Sequence, residues 1–207
     1  RALPMPRSLK PALGGLLTGA TGLALYGLIG ETDVLAVMGT GYGLLQKAIS
    51  TPYATTATGF LVLALVAGGK ILTTSFSIGS GGSGGVFGPS MVIGGAIGGV
   101  VGGVFHMWWP GVVAQPGAYV VIGMAGFFAA AANTPVSTMI MVSEMTGNYQ
   151  LLIPTMWVCI IGFLVARRTG LYRHQVPNRL HSGAHAGEFI VDVLDRMTVR
   201  EVFHADH

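Results

Sequence analysis

Apolar residues come in long blocks along this chain, without the regular polar face of a water-facing helix or strand, and the breaks between blocks define its elements. A polar start carrying Pro4, Pro6 and Pro11 gives way at Leu13 to an apolar run that lasts to Ile29 and ends at Gly30, Glu31 and Asp33. A bilayer core takes about 20 mostly apolar residues per helix, so this run predicts a spanning helix. Residues 34–49 are interrupted by Gly39, Gly41 and Gly43 and predict a short or broken helix, followed by a threonine-rich loop at 51–58. A second run covers 60–72 and contains Lys70. Residues 73–85 are rich in serine, threonine and glycine, which predicts non-helical backbone lining a cavity or buried in protein.

An apolar run then extends over 86–107, with Gly94, Gly98 and Gly102 on one stripe and Gly95, Gly99 and Gly103 beside it. Such spacing lets a second helix approach closely. Trp108 and Trp109 close the run where interfacial aromatics are expected, and a loop with two prolines follows to residue 117. The remaining apolar segments, 118–132, 136–145 and 151–166, are short and are separated by Asn133, Thr134 and Pro135 and by residues 147–150. Broken segments of this kind point to a transport site built from half-helices. From Arg167 onward the chain is polar and reads as a soluble tail.

Charge sharpens the picture. Only 9% of the residues are charged, against about 25% in an average soluble domain, and Glu144 is the one charged residue in 71–166. No water-facing surface can be built for that stretch, so a soluble globule is excluded, as are a disordered or collagenous chain and a disulfide framework. The expected fold is all-α, a polytopic membrane protein with short, broken and re-entrant helices. Arg1, Arg7 and Lys10 precede the first block and Arg167, Arg168, Arg173 and Arg179 follow the last, which predicts both ends on the cytoplasmic side and the loop 108–117 on the other. The chain opens on Arg1 with no signal-peptide pattern and reads as an internal piece of something longer. Cys159 lies in an apolar run and reads as a small core residue.

Gly79, Gly81 and Gly84 match the GxGxxG dinucleotide fingerprint, but no acidic residue follows within reach of a ribose, and no Lys follows the glycines as a phosphate loop requires. What remains is their shared physics. Glycines admit a ligand to the backbone, and the first amides of a following helix are unpaired donors at the positive end of its dipole. That helix is expected to start near Phe87 with Pro89 in its first turn, where proline costs no donor. No Lys or Arg occurs between Lys70 and Arg167, so an anion here would meet only backbone and hydroxyl donors, which bind it without trapping it.

The string GSGGSGGVFGPSMVIGGAIGG resembles the GxFxP anion-site motif of the CLC family of chloride channels and chloride/proton antiporters, here Gly85, Val86, Phe87, Gly88 and Pro89. Gly39-Thr40-Gly41-Tyr42 looks like the GxGY element of that family, AGFFAAAANTPVSTMIMVSEMT like its paired helices after the signature, and GNYQLLIPTM like the start of the next. LYRHQVPNR looks like its last membrane helix, and GEFIVDVLDRMTVREVF is similar to the connector before its CBS domains. One departure is Ser83, where the family often has proline.

The resemblance implies that the chain is the second of two inverted-topology halves of a CLC-type membrane domain, over 1–166, with a final pore-lining helix over 167–180 on the cytoplasmic side and a truncated cytoplasmic connector toward CBS domains over 181–207. It implies chloride transport, with protons as a second substrate if the protein is an antiporter, in a multi-pass protein of the cell membrane. The amides of Val86 and Phe87 would coordinate the anion within the Gly85 to Pro89 motif, and Tyr172 would offer its hydroxyl, with Tyr149 as the rival tyrosine. The partners implied are the lipid bilayer, the first half of the same domain and a second copy in a homodimer, contacting through helices in 135–166. No cofactor, metal or nucleic acid is expected.

Other candidates read as structural. Glu144 is the lone intramembrane carboxylate, but it lies just before Gly147, near a membrane end, where capping or packing outweighs proton transfer. His181 and His185 lack a third ligand for zinc. Met139, Met141, Met145 and Met156 suit soft packing. No nucleophile, base and orienting acid occur together, so the chain is not expected to be an enzyme. The reading that competes with transport is a non-transporting membrane scaffold or a fragment of a membrane enzyme.

Overall fold

The computed structural model describes residues 6, 9–172, 175, 176, 182 and 183. The chain divides into two compact units, Arg1–Leu171 and Tyr172–His207. In the second, the Gln175 amide donates to the Tyr172 carbonyl at 3.1 Å.

The first unit is helical, with no strand among the described residues. Its helices are α1 (Leu9–Ile29), α2 (Tyr42–Ser50), α3 (Ala57–Gly79), α4 (Phe87–Trp108), α5 (Gly117–Ala132), α6 (Pro135–Thr146) and α7 (Leu152–Ala166), with 3-10 turns at Thr32–Val37, Pro52–Thr55 and Tyr149–Leu151. Among the described residues, four segments are long and apolar enough to cross a membrane: Leu9–Ile29, Ala57–Gly79, Phe87–Trp108 and Tyr149–Ala166. Leu28 and Val165 are more than 80% exposed, a surface that suits lipid and not water. The chain is an all-α, polytopic integral membrane protein, as its sequence predicts.

α4 is the most enclosed of the spanning segments. Its glycine stripe meets α5, which runs antiparallel to it: Gly94 faces Gly123 and Phe127, Gly98 faces Tyr119 and Gly123, and Gly102 faces Tyr119 and Pro116. At Gly98 a Cβ would collide with the Tyr119 carbonyl, so the two backbones touch there. α5 ends at Asn133, whose φ of 56° is left-handed, and α6 starts on Pro135 at its first position. Gly147, with φ 63°, reverses the chain again before α7. α7 packs on α5 with Gly126 against Val158, and Cys159 is fully buried.

Two expectations need correction. Residues 73–79 are helical and not irregular, because α3 continues to Gly79. Three of their hydroxyls are satisfied within the protein: Thr73 donates to the Val37 carbonyl at 2.7 Å, Ser75 to the Ile71 carbonyl at 2.7 Å, and Ser77 bonds the hydroxyl of Thr18 on α1 at 3.2 Å, while Thr18 also donates to the Thr73 carbonyl at 3.3 Å. Thr73 and Ser77 face α1, whereas the exposed Ser75 satisfies its hydroxyl on its own helix. The helix expected over 167–180 is not helical at its described positions 169–172, 175 and 176. Thr169 donates its hydroxyl to the Ala166 carbonyl at 3.1 Å, and the Leu171 amide leaves the helical path for the Ala131 carbonyl at 2.8 Å.

Between α1 and α3 the chain is re-entrant. Met38 reaches Gly22 in the middle of α1, Val37 lies against Gly69 on α3, and Tyr42 and Leu45 lie against Gly88 and Gly95 on α4. Residues 32–37 therefore descend, the tip at 38–41 turns, and α2 returns alongside α4 in the same direction.

Candidate functional site

Chain reversal after α3 is closed by its own backbone. The Ser80 amide donates to the Phe76 carbonyl at 3.2 Å, the Gly82 amide to the Ser77 carbonyl at 3.0 Å, and Gly81 takes a left-handed φ of 86°. Residues 82–85 are irregular, and α4 begins at Phe87 with Val86 as its cap. The Val86 carbonyl accepts from the Ser90 amide at 3.1 Å and the Ser90 hydroxyl at 2.7 Å, which sets the helical path at once. Pro89 in this first turn has no N–H to lose.

The amides of Gly84, Gly85, Val86, Phe87 and Gly88 find no acceptor among the described residues. The last three stand at the positive end of a 22-residue helix. Phe87 packs its ring edge-on against Phe128, with centroids 4.9 Å apart and planes at 87°, so the start of α4 is pinned to α5. The five residues picked out in the sequence thus form one open turn, in which Gly85, Val86, Phe87 and Gly88 carry unpaired donors and Pro89 has none to offer.

The re-entrant tip borders this turn. Gly41 has φ 82°, and a Cβ there would stand 2.8 Å from the Val92 side chain, so only glycine fits. A Cβ on Gly88 would stand 3.3 Å from the Tyr42 hydroxyl. Behind the tip, the Lys70 ammonium donates to the carbonyls of Ala36 at 3.0 Å, Val37 at 3.3 Å and Gly39. Thr73 adds its hydroxyl to the Val37 carbonyl at 2.7 Å. A cavity of about 100 Å³ separates these groups from the loop, lined among others by Thr18, Gly39, Lys70, Ser77, Gly85 and Pro89.

At the base of the re-entrant segment the Asp33 carboxylate accepts from Lys47 and from the Tyr53 hydroxyl, the latter at 2.8 Å. Burial alone would raise the Asp33 pKa, but the bonds from Lys47 and Tyr53 and the charge of Lys47 outweigh it and hold it below the ordinary carboxylate value. Burial first, and then the neighbouring carboxylate, push the Tyr53 phenol well above its ordinary value. The base of the hairpin is tied together at neutral pH.

The other sequence candidates lie elsewhere. Tyr172 belongs to the second unit, in non-helical backbone, and is 45% exposed. Tyr149 donates its hydroxyl to Glu144 at 2.9 Å, so each occupies the other near the end of α6. His181 and His185 lie outside the described residues. No group of three metal-ligating side chains occurs among the described residues. Two residues at the site were not singled out from the sequence, Lys70 and the Tyr42 side chain. A lysine inside an apolar run was the available signal, since an ionisable residue at membrane depth is costly unless it has a task.

With this geometry in view, a family profile described as voltage gated chloride channel matches residues 1–167. The chain is 35% identical over 166 residues to the putative chloride channel protein ClcB-like of Ralstonia nicotianae, covering 80% of this chain and 35% of that protein. It is 36% identical over 160 residues to chloride channel protein CLC-f of Arabidopsis thaliana, covering 73% of this chain and 19% of that one. It is 33% identical over 159 residues to the H(+)/Cl(-) exchange transporter ClcA of Cronobacter sakazakii, covering 76% and 32%. The chain spans about a third or less of the length of these relatives.

Proposed function

The chain belongs to the voltage-gated chloride channel family, and from that premise we propose that it supplies half of a chloride pathway, with the anion held at the open first turn of α4. The observation that carries this reading is the set of unpaired amides at Val86, Phe87 and Gly88 on a helix start pinned by Phe128. Donors already in place need no reorganisation when an anion arrives, and partial charges bind a monovalent anion loosely enough to release it. Pro89 keeps the turn helical without adding a donor, and the family motif gives the turn its sequence. Protons are the second substrate if the whole protein is an exchanger, as one relative's name states of that relative.

Tyr172 is proposed as a hydroxyl donor to the same anion. Tyr149 is the weaker rival, because its hydroxyl is already given to Glu144. The opposite wall of the site is assigned to the inverted first half of the same domain, since one helix start leaves an anion half-coordinated. Val136, Ile140, Ile153, Trp157 and Ile161 on α6 and α7 are all more than half exposed and support this face as the contact between two copies in a homodimer. The proposed setting is the plasma membrane, with the segment past Tyr172 leading through a connector to CBS domains.

The test is calorimetric titration of the purified full-length protein with chloride. A saturable site of millimolar or better affinity supports the reading, and the absence of a saturable site at any chloride concentration defeats it.

A further inference from the structure

Lys70 stands about 20 Å along α3 from Ala57, deep in a segment long enough to span the bilayer. Such a charge needs a reason. The one ion pair among the described residues is Lys47 with Asp33, so no carboxylate explains it. What surrounds the ammonium is backbone: the 3-10 turn Thr32–Val37 ends at this depth and leaves carbonyls that lipid cannot satisfy. An ammonium has three N–H donors, and they meet three carbonyls, those of Ala36, Val37 and Gly39.

The clamped segment is the one that touches the start of α4. Two residues beyond Gly39, Gly41 lies on Val92, and Tyr42 brings its hydroxyl to Gly88. From the α3 side the α4 start has no such support, because the cavity of about 100 Å³ lies between Lys70 and Gly85 and Pro89. We infer that Lys70 is a positioning residue: by tying residues 36–39 to α3 it holds Gly41 and Tyr42 against the first two turns of α4 and so sets where the amides of Val86 and Phe87 point. This inference rests on the reading of that turn as an anion site.

The test compares Lys70→Met, Lys70→Arg and Thr73→Val with the parent in the full-length protein, using chloride and nitrate titrations and amide hydrogen exchange. In Lys70→Met, chloride affinity per folded molecule is expected to fall about tenfold and the preference between the two anions to flatten, whereas loss of folded protein alone would lower the number of sites and not their affinity. Lys70→Arg keeps donors in place and should stay within about threefold of the parent, and Thr73→Val, which loses one bond to the same tip, should weaken binding by about threefold. Exchange should quicken both at 36–43 and at 86–90. Parent-like chloride affinity in folded Lys70→Met, or faster exchange at the tip with none at 86–90, overturns the inference. If Lys70→Met does not fold, parent-like affinity and exchange in Thr73→Val overturn it. Absence of saturable chloride binding in the parent defeats the site reading, while exchange at 86–90 still tests the clamp by itself.

Discussion

The Tyr42 hydroxyl lies over Gly88, 3.3 Å from where a Cβ on that glycine would stand. Two glycine-rich elements more than forty residues apart, 39–42 and 85–89, are therefore neighbours with no side chain of Gly88 between them. One approaches from the re-entrant segment and the other opens α4. The contact joins the part of the chain that needs buried cations and hydroxyls to hold it with the part that leaves its amides free.

Backbone contact between α4 and α5 makes Gly98 a sensitive position. A Cβ at Gly98 would meet the Tyr119 carbonyl, which cannot rotate away, whereas a Cβ at Gly68 meets nothing within 4 Å. Gly98→Ala is expected to destabilise the protein by about 1 to 3 kcal/mol through forced separation of the helices. Gly68→Ala should be neutral or stabilising by up to about 1 kcal/mol, because alanine is the better helix former. Thermal unfolding of the two variants in the same detergent checks the order, and equal midpoints would contradict the close packing.

The tie at Asp33 gives a pH dependence with a defined sign. Its folded pKa lies below the ordinary value of 3.8, so its contribution is present above that value and is lost as pH falls through the lower, folded one. Asp33→Asn should lower stability by about 1 kcal/mol at neutral pH, in keeping with a half-exposed Lys47 partner, and the difference from the parent should close as the pH falls below about 4. Unfolding midpoints measured from pH 7 down to pH 3 decide it, and a difference that persists or grows in acid contradicts the assignment.

Much of this architecture can be read from the blocks themselves. The helices Phe87–Trp108, Gly117–Ala132, Pro135–Thr146 and Leu152–Ala166 fall where glycine, asparagine and proline interrupt apolar sequence, because a left-handed residue such as Asn133 or Gly147 is a local necessity and needs no distant partner. The open turn at 85–89 was legible for the same reason. The helical course of 73–79 was not, since it depends on Thr18 of α1 reaching Thr73 and Ser77 across more than fifty residues. The re-entrant tip was equally hidden. Its carbonyls are satisfied by Lys70, more than thirty residues later, and no pattern along 34–49 announces that partner.

Topology follows from the basic residues at both ends and gives a direct experiment. Gln115 lies in the loop between α4 and α5, which is expected on the face opposite to the termini. A cysteine placed at Gln115 in the full-length protein should react with a membrane-impermeant reagent added outside intact cells. Reaction only after permeabilisation would reverse the orientation.

Tyr172 is expected to give the anion one neutral hydrogen bond. Tyr172→Phe should then weaken chloride binding by about 1 kcal/mol, roughly fivefold, and Tyr172→Ala should weaken it further. Affinities and fluxes equal to the parent's in both variants would remove Tyr172 from the site.

The central claim is that the amide of Phe87 holds the anion, and the measurement that addresses it most directly is chloride affinity in Phe87→Pro against Phe87→Leu. Proline removes one N–H while keeping a conformation that a first helical turn accepts, and leucine keeps the N–H while losing the same ring contact with Phe128. Losing a donor to a charged ligand costs about 1.5 to 3 kcal/mol, so the proline variant should bind chloride about tenfold to a hundredfold more weakly than the leucine variant in folded, full-length protein. Equal affinity in the two folded variants would contradict the claim and take the anion away from the start of α4.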